Sequence, residues 1–345
     1  MRPNARLRTS FATLAPLALL SLLALAACGK GGTINAVPTA QPSTAPTVSG
    51  EFAVPTAGSQ PEGLTRGPDG LIYFTEQAGN KIGRIESNGS VTEYAMPTAG
   101  SGPYAIATGS DHNLWITEQA GNRIARMSTS GTFTEYAIPA ANAGAAGITP
   151  GPDGQLWFAE KNASAIGAIN PMAATPAVVQ YPTTTANAAP TDIVAGLDGA
   201  LYFTEAAASK VARITTAGAI TFETPTTSAN AQPGSIAIGP DGQLWFVETG
   251  AVKLGHMTTQ GTMDPESSLA PATSASGLVL GTDNAFYFLD PLQNKVGQAT
   301  ILGTPGVKEF AITTANAQPA FAALGSDGRV YFTETAAGKI GQLSY

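Results

Sequence analysis

Seven copies of one short pattern constrain this chain: an aspartate in a tight turn, an aromatic four residues later and an acid seven residues later. The turn aspartates are Asp69, Asp111, Asp153, Asp198, Asp241, Asp283 and Asp327, separated by 42, 42, 45, 43, 42 and 44 residues. The aromatics are Tyr73, Trp115, Trp157, Tyr202, Trp245, Tyr287 and Tyr331. The acids are Glu76, Glu118, Glu160, Glu205, Glu248, Asp290 and Glu334. A period in the low forties with several short β-rich runs in each repeat predicts an all-β, seven-bladed propeller, one four-stranded blade per repeat.

The first repeat shows how a blade is written. Gly63 to Arg66 reads as a first strand, and Gly67-Pro68-Asp69-Gly70 as a turn in which Pro sets one φ and Gly supplies a positive one. Leu71 to Glu76 is a second strand, apolar on both faces because each blade packs between two neighbours. Gln77-Ala78-Gly79-Asn80 leads into a third strand, Lys81 to Glu86, and Asn88-Gly89 into a fourth, Val91 to Met96, stopped by Pro97. The fifth repeat is the least regular, since Met263-Asp264-Pro265-Glu266 interrupts its outer strand.

The chain ends after a third strand, Lys339 to Leu343. The missing outer strand is Glu51-Phe52-Ala53-Val54-Pro55, which matches Glu93 to Pro97 and Glu135 to Pro139. One blade therefore draws strands from both chain ends, and this closure leaves no unpaired edge at the seam.

Ahead of the propeller lies an address label. Arg2, Arg6 and Arg8 form a basic region, Phe11 to Ala26 an apolar stretch short for a membrane span, and Leu25-Ala26-Ala27-Cys28 resembles a bacterial lipobox. The expectation is a signal peptide over 1–27, an acylated Cys28 opening a disordered tether over 28–49, and the propeller over 50–345. Cys28 is the single cysteine, so no disulfide braces the fold. Removal of the leader takes three arginines and leaves 14 basic side chains against 24 acidic ones, a net charge of −10. That charge argues against nucleic acid and against electrostatic attachment to anionic lipid, leaving the acyl group on Cys28 to hold a monomer at the bacterial cell envelope, facing periplasm or exterior.

Pro-Asp-Gly-Gln-Leu-Trp-Phe at 152–158 and 240–246, Thr-Glu after the aromatics, and Lys-Ile-Gly-Arg-Ile at 81–85 resemble the streptogramin lyase family, the virginiamycin B lyase-like propellers. The resemblance runs over about 51–345. It implies elimination across a cyclic depsipeptide ester by a His base with Mg²⁺ as cofactor, the His standing in a Pro-His-Gly segment with a Glu two positions before it and a second Glu ending the next strand.

This chain departs from that pattern. The column seven residues before each turn Asp reads Glu62, Tyr104, Ala146, Thr191, Gly234, Ser276 and Ala320, and two residues earlier stand Gln60, Gly102, Gly144, Ala189, Gln232, Ser274 and Gln318. The first column holds no histidine and the second no carboxylate. His112 follows a turn Asp at the opposite end of the propeller, and His256 shares the third-strand column of Arg84, Arg126 and Arg213. No catalytic residue is therefore assigned. The expectation is a propeller that binds a small molecule or an envelope protein at its face through Glu62, Tyr104, Asp192 and Phe321; the rival is a metal-dependent lyase or lactonase with a rebuilt site.

Five residues after each acid of the repeat stand Lys81, Arg123, Ala165, Lys210, Lys253, Lys295 and Lys339. Acid and base face each other across a hairpin, which reads as a repeated cross-strand ion pair. Ala165 leaves Glu160 without that base, and Glu160 accordingly joins the candidate binding residues.

Overall fold

A computed structural model describes residues 46–302 and 305–345. The leader, Cys28 and most of the expected tether lie outside the described residues. Those described form 28 strands in seven four-stranded antiparallel sheets. In the first blade the strands are β2 (Pro61–Arg66), β3 (Ile72–Glu76), β4 (Lys81–Ile85) and β5 (Val91–Ala95), paired in that order. The first strands of the other blades are β6 (Pro103–Thr108), β10 (Ala145–Pro150), β14 (Pro190–Ala195), β18 (Pro233–Ile238), β22 (Ser276–Leu280) and β26 (Pro319–Leu324). These seven contact one another in cyclic order and so line the channel.

The seam closes as the sequence implies. The last sheet runs β1 (Thr47–Ala53), β28 (Lys339–Ser344), β27 (Val330–Glu334), β26. The closing strand begins at Thr47, earlier than the boundary at residue 50, because Thr47 and Val48 pair with Ser344 and Leu343 across a bulge. Residues 47–49 thus belong to the propeller rather than to the tether: Ser49 Oγ lies 2.7 Å from Ser344 Oγ, and Val48 packs into the core between the sixth and seventh blades.

The repeated aspartate and aromatic form one device. A buried Tyr or Trp contributes a large apolar area, yet its polar tip needs a partner. The turn Asp supplies it: Tyr73 Oη donates to Asp69 at 2.8 Å, Trp115 Nε1 to Asp111 at 3.0 Å, Tyr202 Oη to Asp198 at 2.9 Å and Tyr331 Oη to Asp327 at 3.0 Å. Gly67, which opens the first such turn, lies so close to the ring that a Cβ there would stand 2.4 Å from Tyr73. Behind each aromatic the second strand is buried along its length, and the apolar clusters form between neighbouring blades, as where Tyr73 and Ile82 meet Leu114 and Ile116. The irregular fifth blade keeps only Ser267–Ser268 as β21, beside a rim groove of about 410 Å³ lined by Trp245, Leu254 and Leu269.

Candidate functional site

The first strand of each blade begins at one end of the channel, opposite the Asp turns. There the register slips: Pro61 faces Glu76 and Leu64 faces Phe74, leaving two residues where one would fit, and the same bulge recurs between Pro190 and Ile193 and between Pro319 and Ala322. Residues that would alternate across a regular strand are thereby turned to the same side. Second-strand threonines satisfy the displaced backbone, with Thr75 Oγ1 donating to the Tyr104 carbonyl at 2.7 Å and the Phe321 N–H donating to Thr333 Oγ1 at 3.0 Å.

The bulges create a pocket of about 360 Å³ at the channel mouth, lined by Glu62, Tyr104, Asp192 and Phe321. A smaller cavity of about 130 Å³ shares Asp192 and Phe321 and continues along the inner strands beside Ile106 and Ile148. The Tyr104 and Phe321 rings meet edge to face, centroids 5.3 Å apart and planes at 86°. Asp192 is tied to two blades, accepting the Ile193 N–H at 2.9 Å and the Ile236 N–H at 3.1 Å. Its Oδ1 lies over Gly147, where a Cβ would come within 2.3 Å, so a residue larger than glycine at 147 would displace the carboxylate. Glu62 makes no hydrogen bond or ion pair among the described residues. Burial pushes the Glu62 carboxyl up to about 7 and Asp192 up to about 6, the two N–H donors holding the latter back. Ser235 and Thr249 also line the mouth. They were not singled out in the sequence, because lone hydroxyl residues in varied columns carry no periodic signal.

The fifth candidate, Glu160, stands apart from this pocket. It is buried in the ring of acids that end the second strands, and Gln180 Nε2 donates to it. The structure also redraws the ion pairs. Glu76 and Lys81 face each other in register, but the Lys81 ammonium lies 2.5 Å from Glu93 on the outer strand. Lys253 likewise pairs with Glu266 at 2.7 Å, Lys295 with Glu309 at 2.9 Å and Lys339 with Glu51 at 2.9 Å. Each basic residue thus reaches the acid nearer to solvent. The outer acid also clamps the loop entering its blade: Glu93 accepts the Thr56 N–H at 2.8 Å, and Glu51 that of Thr314 at 2.9 Å. In the third blade Ala165 replaces the base and Gln180 the outer acid, so that blade loses both charges together.

Left behind are inner acids with 0% exposure, and the carboxylates of Glu76, Glu118, Glu205, Glu248 and Glu334 have no hydrogen-bond partner among the described residues. Burial, reinforced by the adjoining Glu93 and Glu135, drives Glu76 and Glu118 up to about 8. Glu160, Glu205, Glu248 and Glu334 stand at about 7, chiefly from burial. Asp290 is the exception and lies below its ordinary value despite burial, because Ser274 Oγ and the N–H groups of Thr273 and Gln293 donate to it.

Both histidines sit at the far end. His112 occupies an Asp turn with φ of 57°, while His256 stacks on Trp245 at 4.1 Å between Asp241 and Asp264, each 3.2 Å away. Among the described residues no three His, Cys, Asp or Glu side chains converge in a metal-binding group. The mouth offers two carboxylates from the first and fourth blades, one already committed to backbone donors. The donor set there does not fit a protein-held Mg²⁺, which demands near-octahedral oxygen ligation.

Fold and mouth together define a seven-bladed propeller with a ligand-sized pocket where its inner strands begin. The profile of the virginiamycin B lyase family matches residues 43–175 and 169–345, and the chain belongs to that family. It is similar to a streptogramin B lyase structure, with 32% identity, 86% of this chain and 96% of that chain covered, and a TM-score of 0.79. Virginiamycin B lyase from Staphylococcus aureus is 30% identical over 86% of this chain and 98% of its own, with a TM-score of 0.79. A catalytically inactive histidine-to-alanine variant of the Staphylococcus aureus enzyme, solved with quinupristin, is 31% identical over the same shares, also at 0.79. No curated protein matches the chain by sequence.

Proposed function

We propose that this chain is an envelope-anchored, ligand-binding propeller of the virginiamycin B lyase family without lyase chemistry. The observation that carries this reading is the composition of the channel mouth, where Glu62 and Tyr104 occupy the column in which the family resemblance places the catalytic histidine. The Staphylococcus aureus relative is inactive when one histidine becomes alanine, and both histidines of this chain stand at the far end of the propeller. A missing general base alone costs roughly 10²- to 10⁴-fold in rate. Incubation of the protein with a streptogramin B depsipeptide and Mg²⁺, followed by mass spectrometry, is expected to show no ring opening above background. Mg²⁺-dependent turnover would overturn the reading.

One observation favours a rebuilt lyase or lactonase as the second reading. Glu62 stands in the base column with its carboxyl near 7, where a carboxylate can accept a proton at neutral pH. The same assay separates the two, since turnover abolished by Glu62→Gln would assign that residue the role of base.

Anchoring rests on Cys28. It follows Leu25-Ala26-Ala27 and has no partner thiol, and the chain's acidity supplies no electrostatic attachment to anionic lipid. Cys28→Ser is expected to abolish labelling by radioactive palmitate and to move the protein from the membrane fraction to the soluble one, with its melting temperature unchanged. Continued acylation of the variant would refute the assignment.

A further inference from the structure

We propose that the mouth pocket receives a small organic ammonium ion, Glu62 and Asp192 supplying the charge and Tyr104 and Phe321 the aromatic wall. The inference rests on the reading of the mouth as a binding site and adds the chemical class of its ligand.

The lining decides the sign of the charge. Its ionisable side chains are Glu62, Tyr104 and Asp192, and no Lys, Arg or His lines it. An anion would meet two carboxyl groups with no cation to balance them. A neutral apolar ligand would strip water from Glu62, whose carboxyl has no hydrogen-bond partner among the described residues, and leave it unpaired. A positively charged ligand removes that cost.

Size and shape then separate an organic cation from a metal ion. A pocket of about 360 Å³ holds a group of several heavy atoms. The perpendicular Tyr104 and Phe321 rings meet edge to face and form an aromatic corner in its wall. A methylated or alkylated ammonium fits such a corner, its diffuse charge resting on an aromatic face while its alkyl surface is buried. Asp192 is fixed by two backbone donors and acts as a placed charge, whereas Glu62 is free to close on the ligand.

Affinity should depend on pH. Glu62 at about 7 and Asp192 at about 6 both ionise between about pH 5.5 and 8, so binding strengthens as pH rises across that range. The one other titratable group lining the pocket is Tyr104, which burial keeps neutral; the buried acids Glu76 and Glu205 end the strands paired with β2 and β14 and do not line it.

Isothermal titration of the purified full-length protein with choline and with 3,3-dimethylbutan-1-ol isolates the charge, since the two differ by N⁺ for carbon. Choline is expected to bind at least about tenfold more tightly at pH 8, with the preference shrinking towards pH 5.5. Glu62→Gln should reduce choline affinity about tenfold and leave the alcohol unchanged. Phe321→Leu, which keeps apolar volume without the ring, should weaken choline while the melting temperature stays within a few degrees. Equal affinities for the two probes would overturn the ammonium assignment and leave the mouth as a binding site for another class. Absence of binding by choline would overturn it as well. Depsipeptide turnover is a separate outcome that strikes the reading without lyase chemistry and not this one.

Discussion

Removal of residues 29–56 is expected to lower the melting temperature by roughly 10 °C or to cause aggregation, whereas removal of 29–46 leaves it unchanged. The longer deletion takes away β1, exposes the backbone edge of β28 and opens the ring at its seam. It also removes Phe52, stacked on Tyr331 at 6.2 Å, and Val54, which is 8% exposed. Glu51 goes with them, so Lys339 loses its ion pair and the Thr314 loop its clamp. Loss of a packed aromatic costs about 3–5 kcal/mol, and each kcal/mol is worth about 2–4 °C in a domain of this size. Scanning calorimetry of the two truncations decides the matter. Equal melting temperatures would mean that the closing strand contributes nothing to the ring.

The architecture was legible because the Asp and aromatic columns are a local device: four residues separate donor from acceptor, so the repeat is written within one hairpin. The ion pairs were not legible from spacing. Lys81 has Glu76 opposite on one side and the outer strand on the other, and register alone favours neither. Solvation decides, since an ammonium group reaches the acid that leaves it hydrated and not the one sealed in the core. A clue was nonetheless present: where the base becomes Ala165 the outer acid becomes Gln180, a paired change within the chain that ties those two columns together. For the same reason Glu160 reads differently once Gln180 is seen beside it. At the mouth, Glu62 and Tyr104 were found from their column. That Asp192 and Phe321, one column further on, share their pocket follows from the bulges, which cancel the alternation of a regular strand.

The buried acids predict an inverted dependence of stability on pH. Glu76 and Glu118 at about 8, with Glu160, Glu205, Glu248 and Glu334 at about 7, retain protons in the folded state at pH values where the unfolded chain, near 4.5, has lost them. Folding therefore takes up protons between about pH 4.5 and 8. The stabilisation is complete below the unfolded value and is lost as pH rises through 7 and 8. A tenfold gain in a carboxyl's proton affinity on folding corresponds to about 1.4 kcal/mol, so even a fraction of the full effect from six such groups outweighs most single contacts in the fold. The melting temperature is expected to be higher at pH 5.5 than at pH 8.5 by several degrees. Asp290, held below its ordinary value, works in the opposite sense and loses its contribution only as pH falls through its folded value. Glu118→Gln removes one titrating group in an isosteric way, and should raise the melting temperature at pH 8.5 while flattening the slope. Glu160→Gln should flatten it less, because Glu160 has no second acid beside it and Gln180 already donates to it. A melting temperature that rises from pH 5.5 to 8.5, or a Glu118→Gln variant with the parent's slope, would show that the ring stays ionised in the folded protein and that its charge is balanced in some other way.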